Sequence, residues 1–416
     1  MVTGLSQPAD LRTTTRSLPS NATALAISLL LVVATVSWRK RVYYSGGVDP
    51  VVAAKALLSV IALALAFVAA RRVPRPRPVG VHTVLLLFGY AALATFGAWS
   101  TGNVTASAVL AVRLLLLGTT VVLLVRTFPA FTVVRSVMMS MLIVAAVGVI
   151  TGFNTAPSGR LIGAVPPLTP NEIAMLCSIP AIGIGWLLFT GRGTPKLGWL
   201  FLGILVVIWL TGSRAALAAL VVALVVMLVQ ARRLRPSVAF VLTCGAAAIA
   251  YSLIATDIIA GFFNRGGSQN VATLSSRTIA WSAAFNFAET PWTRWFGAGL
   301  ATKRIPVRGQ YWDEQLLDSS WISALVQAGR IGVIVLGAWV LSTAVASLRA
   351  GREDRMILTG LLVFLVLRSI LESGLLDSMP PFIMFMLISL LSDHTTRRSE
   401  VPETRWPRGR PSGHPL

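Results

Sequence analysis

Long apolar runs alternate with short polar connections along this chain, and the lengths of the runs predict its architecture. Runs of helix-spanning length fall near residues 21–37, 51–70, 81–99, 107–125, 133–150, 172–190, 197–210, 215–230, 238–260, 320–348, 356–374 and 380–392. A helix needs about 20 apolar residues to cross a bilayer, so the pattern predicts an all-α, polytopic integral membrane protein with about twelve transmembrane helices. The boundaries expected are an N-terminal tail at 1–20, helices one to nine at 21–260, a long polar loop at 261–319, helices ten to twelve at 320–392 and a tail at 393–416. The last segment is rich in Pro, Arg and Ser and poor in apolar residues, the composition of a disordered tail. Arg12 and Arg16 precede the first run as in a secretory signal, but Trp38-Arg39-Lys40-Arg41 follows instead of a small-residue cleavage site, so the first helix is expected to be retained.

Composition supports this reading. The chain is 55% hydrophobic and 12% charged, more apolar surface than a soluble fold of this size can hide. A net charge of +21 could suggest nucleic acid; with no basic soluble domain, topology signals and anionic membrane lipids account for it better. The basic residues gather in short connections, at 71–77, 126–135, 192–196, 232–235 and 349–355, and in the C-terminal tail. The positive-inside rule then puts these connections and both termini in the cytoplasm. Two basic segments fall outside: Arg39-Lys40-Arg41, which runs against the rule, and the loop at 261–319, which is long enough to translocate regardless of charge. Cys177 and Cys244 lie inside apolar runs as small core residues, and the three His have no metal-ligand spacing, so neither metal nor cofactor is expected.

The long loop carries Arg265, Arg277, Arg294, Lys303, Arg304 and Arg308 with Trp281, Trp292, Trp295, Tyr311 and Trp312 among them. Guanidinium forks suit phosphate and indole rings suit a sugar face, so the mixture points to an anionic, sugar-bearing ligand. Ser275-Ser276-Arg277 reads as a helix start, followed by an apolar face of Ile279, Ala283 and Phe287 with Trp281, Phe285 and Ala288. Trp281 and Trp292 fit interfacial anchors as well as sugar platforms. Gly297 and Gly299 offer backbone that a ligand could approach closely. Asp313, Glu314 and Asp318 crowd the end of the loop.

Further candidates lie on short turns and in the spans. Arg214 sits in the outward turn Thr211-Gly212-Ser213-Arg214, either as a snorkelling residue or as a ligand. Arg160 lies in another outward loop, before Asn171, a candidate helix cap, and Glu172 in the first helical turn. Lys55, Arg113, Arg330, Arg368 and Glu372 fall within predicted spans and should face the bundle interior or a wet cavity. Arg368 and Glu372, four residues apart, could form a structural ion pair. Alternatively, Arg330 and Arg368 could form a cationic wall around a lipid-linked diphosphate.

In this order, the elements resemble the superfamily of O-antigen ligases and O-antigen polymerases, bacterial membrane glycosyltransferases. The outer-loop Arg-x-x-Gly then Pro-Asn pattern is matched by Arg160, Gly163, Pro170 and Asn171, and the Ser-Arg between two spans by Ser213-Arg214. Arg277 and Trp281 match the loop helix, and Gly297 and Gly299 its Gly-x-Gly. The element that usually reads His-Asn-Ser-Tyr, then Gly-x-Ile-Gly, is here Asp318-Ser319-Ser320-Trp321, then Gly329-Arg330-Ile331-Gly332. Asp318 replaces the His of the ligases, which favours polymerase over lipid A–core ligase.

The resemblance implies transfer of a glycan from an undecaprenyl-diphosphate carrier to a sugar hydroxyl of a glycan or glycolipid acceptor. The reaction would run with inversion, without nucleotide or metal, on the outer face of the bacterial cytoplasmic membrane. Arg214, Arg277 and then Arg160 would hold the diphosphate, with Asp318 as base and Glu172 behind it. Arg330, Arg368, Glu372 and Asn171 would take secondary roles. Two other readings share the many spans: a transporter or flippase of lipid-linked sugars, and a cell-wall polymerase of the shape, elongation and division type, which the Arg-rich pattern fits poorly.

Overall fold

The computed structural model describes residues 19–39, 49–74, 76–158, 160–231, 277–287, 290–307 and 313–393. Every predicted run but the ninth coincides with a helix. In chain order these are α1 (Asn21–Thr35), α2 (Pro50–Arg71), α3 (Val81–Gly97), α4 (Val104–Thr127), α5 (Ala130–Gly152), α6 (Pro170–Phe189), α7 (Pro195–Thr211) and α8 (Arg214–Gln230). The loop contributes α9 (Arg277–Asn286) and α10 (Pro291–Phe296), and the chain continues in α11 (Ser320–Leu348), α12 (Arg352–Leu371) and α13 (Pro380–Ser392). The ninth run, Cys244, Ser275-Ser276, the two tails and the loop before Arg277 lie outside the described residues.

Helix starts follow local chemistry. Ser20, Asp49, Thr169 and Thr194 each accept a backbone N–H from the first turn of the helix they precede, and three of them are followed by Pro at the first helical position. Among the described residues, six helices are long and apolar enough to cross a membrane by length and composition: α2, α3 with its 3-10 extension to Thr101, α4, α5 with its extension to Thr155, α6 and α11. Helices α1, α7, α8 and α13 are apolar but shorter.

Packing separates core from periphery. Every residue of α13 is buried, as is almost all of α6, so these two form the centre. By contrast, α2, α3, α7 and α8 leave Leu57, Phe67, Leu85, Val206 and Val229 exposed, as helices do when they face lipid. Polar groups join the helices inside: the Ser389 hydroxyl accepts from Trp339 Nε1 at 2.8 Å and lies 2.8 Å from Thr83 Oγ1. Such contacts matter in apolar surroundings, where the hydrophobic effect cannot drive helices together.

The two ends of the bundle differ. The short basic connections gather at one end: Arg77 donates to the Phe128 carbonyl, Arg192 pairs with Glu353, and Arg352 donates to the Gln230 carbonyl. The opposite end joins the C-terminus of α1 to the starts of α2, α6, α8 and α11 and the end of α12. The polar loop packs here, and it is not wholly helical. Beside its short helices, strands β1 (Arg304–Pro306) and β2 (Glu314–Leu316) form an antiparallel pair with Ile305 opposite Gln315. Ala284, Ile305, Leu317, Ile322 and Val326 make a small core beneath it, covered in part by Trp281 and Phe287.

Candidate functional site

The site is built where α6, α9, α11 and α12 meet. At the start of α6 the cap is Thr169, not Asn171: the Thr169 hydroxyl accepts from the Glu172 backbone, and the Glu172 carboxylate accepts from the Thr169 backbone at 2.8 Å. This reciprocal cap frees Asn171 in the first turn. Its Nδ2 donates to Glu372 at 2.6 Å, while its Oδ1 accepts from Arg160 at 3.4 Å. Arg160 also donates to the Thr211 carbonyl at 3.0 Å, on the turn that leads into Ser213 and Arg214. Glu172 has a second partner in Ser37, whose hydroxyl donates to it at 2.5 Å from the end of α1.

Glu372 is the hub. Arg277, the first residue of α9, donates to it at 2.7 Å, and its Nε lies 3.9 Å from Asp318. The expected Arg368–Glu372 pair exists, but at 4.0 Å it is the longer of the Glu372 ion pairs. Arg368 is buried and donates to the Ser373 carbonyl. A carboxylate so enclosed needs compensation: Asn171 and Arg277 donate to it, and Arg368 adds a longer ion pair.

The Asp318-Ser319-Ser320-Trp321 element positions this hub. Ser319 donates to the Ser369 carbonyl, Ser320 to the Glu372 carbonyl at 3.0 Å, and Trp321 Nε1 to the Ser369 hydroxyl at 3.0 Å. Three successive side chains thus tie the start of α11 to the end of α12, setting Asp318 beside Arg277. Partial burial pushes the Asp318 carboxyl above the ordinary aspartate value, with the Arg277 guanidinium pulling the other way.

Beyond Asp318 lies a cavity of about 200 Å³, walled by α1, the start of α2, α4, β2 and the connection between α12 and α13. Lys55 and Arg113 reach it, as their place inside spans predicts. So do Arg39, which pairs with Asp49 at 3.2 Å, and Lys303, which pairs with Asp377. Arg39 therefore has a place at the cavity; Lys40 and Arg41 lie outside the described residues. Sequence reasoning did not single out Lys303 and Asp377 as partners. They lie 74 residues apart and only the fold pairs them.

Three expectations need correction. Arg330 does not join Arg368 in a cationic wall: it is exposed and lies over the Trp295 ring at 5.5 Å. Gly297 and Gly299 do not open backbone to a ligand. Their neighbours Ala298 and Gly299 donate to the Val326 and Gln327 carbonyls at 2.8 and 2.9 Å, where α11 breaks at Gly329 (φ 68°). A Cβ at Gly297 would collide with the Gln327–Ala328 backbone, and one at Gly329 with Trp295. Both glycines also have positive φ, so their role is close backbone packing. Trp292 packs against Phe96 and Phe296, ring centroids 4.7 and 4.9 Å away, and Trp281 packs on the small core; neither is an open sugar platform.

The structure brings Arg160, Asn171, Arg277, Asp318, Arg368 and Glu372 into one connected cluster. It places Glu172 at its edge and Arg214 on the turn that Arg160 grips. Residues 199–337 match the family model described as O-Antigen ligase, a span that includes Arg214, Arg277 and Asp318. No curated protein matches the chain.

Proposed function

We propose that this protein, a multi-helix membrane member of the O-antigen ligase and polymerase superfamily, transfers a glycan from an undecaprenyl-diphosphate carrier to a sugar hydroxyl. The reaction takes place on the outer face of the bacterial cytoplasmic membrane, and the chain spans that membrane about twelve times with both termini inside. The observation that carries the reading is the position of Asp318, with Arg277 on one side and a charged cavity on the other.

A hydroxyl in the cavity gives its proton to Asp318 and attacks the anomeric carbon from the face opposite the carrier. The bond from that carbon to the diphosphate oxygen breaks, its electron pair leaves with the diphosphate, and the configuration inverts. Arg277, together with Arg160 and Arg214, stabilises the departing charge, since guanidinium forks match phosphate oxygens. Glu372 takes one edge of Arg277 and leaves other donors for the phosphates. Glu372, Arg368 and Asn171 are positioning residues, and Glu172 holds the start of α6 and the end of α1 in place. Guanidinium groups take the place that a divalent ion occupies in many transferases. A raised Asp318 pKa makes the carboxylate a better base near neutral pH. Polymerisation is favoured over ligation because an Asp replaces the ligases' His.

Purified protein in detergent should consume lipid-linked oligosaccharide and release undecaprenyl diphosphate. A flippase has no gradient or second compartment there and would leave the substrate intact, which would end this reading. In a deletion strain, accumulated single repeat units identify a polymerase, and unattached long chains a ligase.

A further inference from the structure

We propose that the cavity beside Asp318 is the acceptor's subsite and that it takes a sugar bearing an anionic group, a carboxylate or a phosphate. This rests on the transferase reading, because Asp318 can deprotonate only a hydroxyl that lies within its reach. The charges on the cavity wall support the second half of the statement. Each carboxylate there already faces a cation: Asp49 holds Arg39, Asp377 holds Lys303, and Asp318 lies beside Arg277.

Two cations meet carboxylates only at longer range than an ion pair: Lys55 those of Glu172 and Asp49, Arg113 that of Asp377. Lys55 stands on α2, about 8 Å along the axis from the helix start by the 1.5 Å rise per residue. Arg113 stands on α4, which packs against α2. Arg113 donates one Nη to the Ala34 carbonyl at 2.7 Å, and its buried Nε has no partner. Cations at this depth are costly unless an anion compensates them closely, and a neutral sugar would leave both with only that longer-range compensation.

An aromatic ring beside them points to a sugar rather than a bare anion. Lys55 Nζ stands over the Trp38 ring, 6.0 Å from its centroid, on the same wall, and the Trp38 Nε1 is tied to the Val33 carbonyl at 2.8 Å. A fixed indole at the edge of the cavity, beside an ammonium with no close carboxylate, can receive a sugar ring and the charge it carries. The arginines proposed for the carrier diphosphate, Arg160, Arg214 and Arg277, are not on this wall.

The scarcity of lysine makes the test readable, because the chain has four: Lys40, Lys55, Lys196 and Lys303. The full-length protein in detergent is acylated with a water-soluble amine reagent and each lysine is followed by mass spectrometry. Glucuronate, glucose 6-phosphate, glucose, acetate and inorganic pyrophosphate are added separately at equal ionic strength. Glucuronate or glucose 6-phosphate is expected to slow acylation of Lys55 about threefold at about twice its Kd, since protection scales as one plus ligand over Kd. Lys196, at the opposite end, should not change. The more protective of the two charged sugars tells carboxylate from phosphate.

Equal protection by glucose or acetate overturns the inference, as does greater protection by pyrophosphate, which would assign the cavity to the carrier. Absence of protection overturns it too. Titration calorimetry with the same sugars reads binding without the reagent: wild type should bind the charged sugar and Lys55→Gln should lose it, while binding retained in the variant refutes the assignment. Neither measurement depends on turnover, so a negative result here leaves the Arg277 test of the transferase reading intact.

Discussion

At the basic end of the bundle, Arg77 and Arg352 donate to main-chain carbonyls at helix ends, and Arg192 pairs with the exposed Glu353. At the opposite end, arginines gather on carboxylates that they share: the enclosed Glu372 accepts from both Arg277 and Asn171, and Arg277 also faces the half-exposed Asp318. The first arrangement closes helix ends and one half-exposed carboxylate, each arginine with its own partner. The second depends on geometry, because each partner is oriented by the next. Residue type is the same at both ends, and the difference lies in how many neighbours constrain each guanidinium.

Substitutions at the two ends should separate them. The largest effect is expected from Arg277→Ala, which should slow consumption of lipid-linked oligosaccharide by roughly 10²–10³-fold, the loss typical of a group that stabilises a developing charge. Normal glycan chain lengths in a strain expressing the variant at wild-type levels would refute its role. Asp318→Asn should cost about 10²-fold, the lower bound for a lost general base. Its pH profile is the sharper readout. Wild-type activity should fall as pH drops through the raised Asp318 pKa, because protonation removes the base, and this acid limb should lie above the ordinary carboxylate range and vanish in the variant.

Glu372→Ala should destabilise the protein by about 3 kcal/mol, because it strands two largely buried arginines. Thermal unfolding in detergent measures this, and an unchanged Tm would remove Glu372 from the hub. Gly297→Ala should cost about 1–3 kcal/mol from backbone strain alone, with the collision against α11 added. Expression and Tm read this loss, and a variant of normal stability would show that the backbones need not be so close. The smallest effect belongs to the basic end. Arg192→Ala should leave turnover unaltered and cost less stability than Glu372→Ala, since the carboxylate it abandons, Glu353, is half-exposed, although Arg192 itself is largely buried over the Trp186 ring. A large loss of turnover there would erase the contrast between the ends.

Much of the fold was legible in the chain because a bilayer imposes a one-dimensional code. Apolar length reads directly as a helix, and Thr169-Pro170-Asn171-Glu172 announces a helix start whichever residue proves to be the cap. The candidate residues were legible for a related reason: Arg160, Arg277, Arg368 and Glu372 are charges at or within membrane boundaries, where charge is rarely idle. Misreadings came where two distant segments decide the outcome. Gly297 looks like ligand-accessible backbone until α11 is seen to break at Gly329 against it. Arg330 looks like a partner of Arg368 until its place on α11 turns it outward over Trp295.

What the sequence by itself determined is the set of helices, the end of the bundle that gathers the basic connections and the residue types available for chemistry, since each depends on local hydrophobicity and charge. Only the tertiary structure decided which charges meet. Lys303 with Asp377, Arg277 with Glu372 and Arg39 at the cavity are separated by tens to hundreds of residues or by intervening helices. An ion pair depends on distance in space, and no local pattern along a chain encodes that distance.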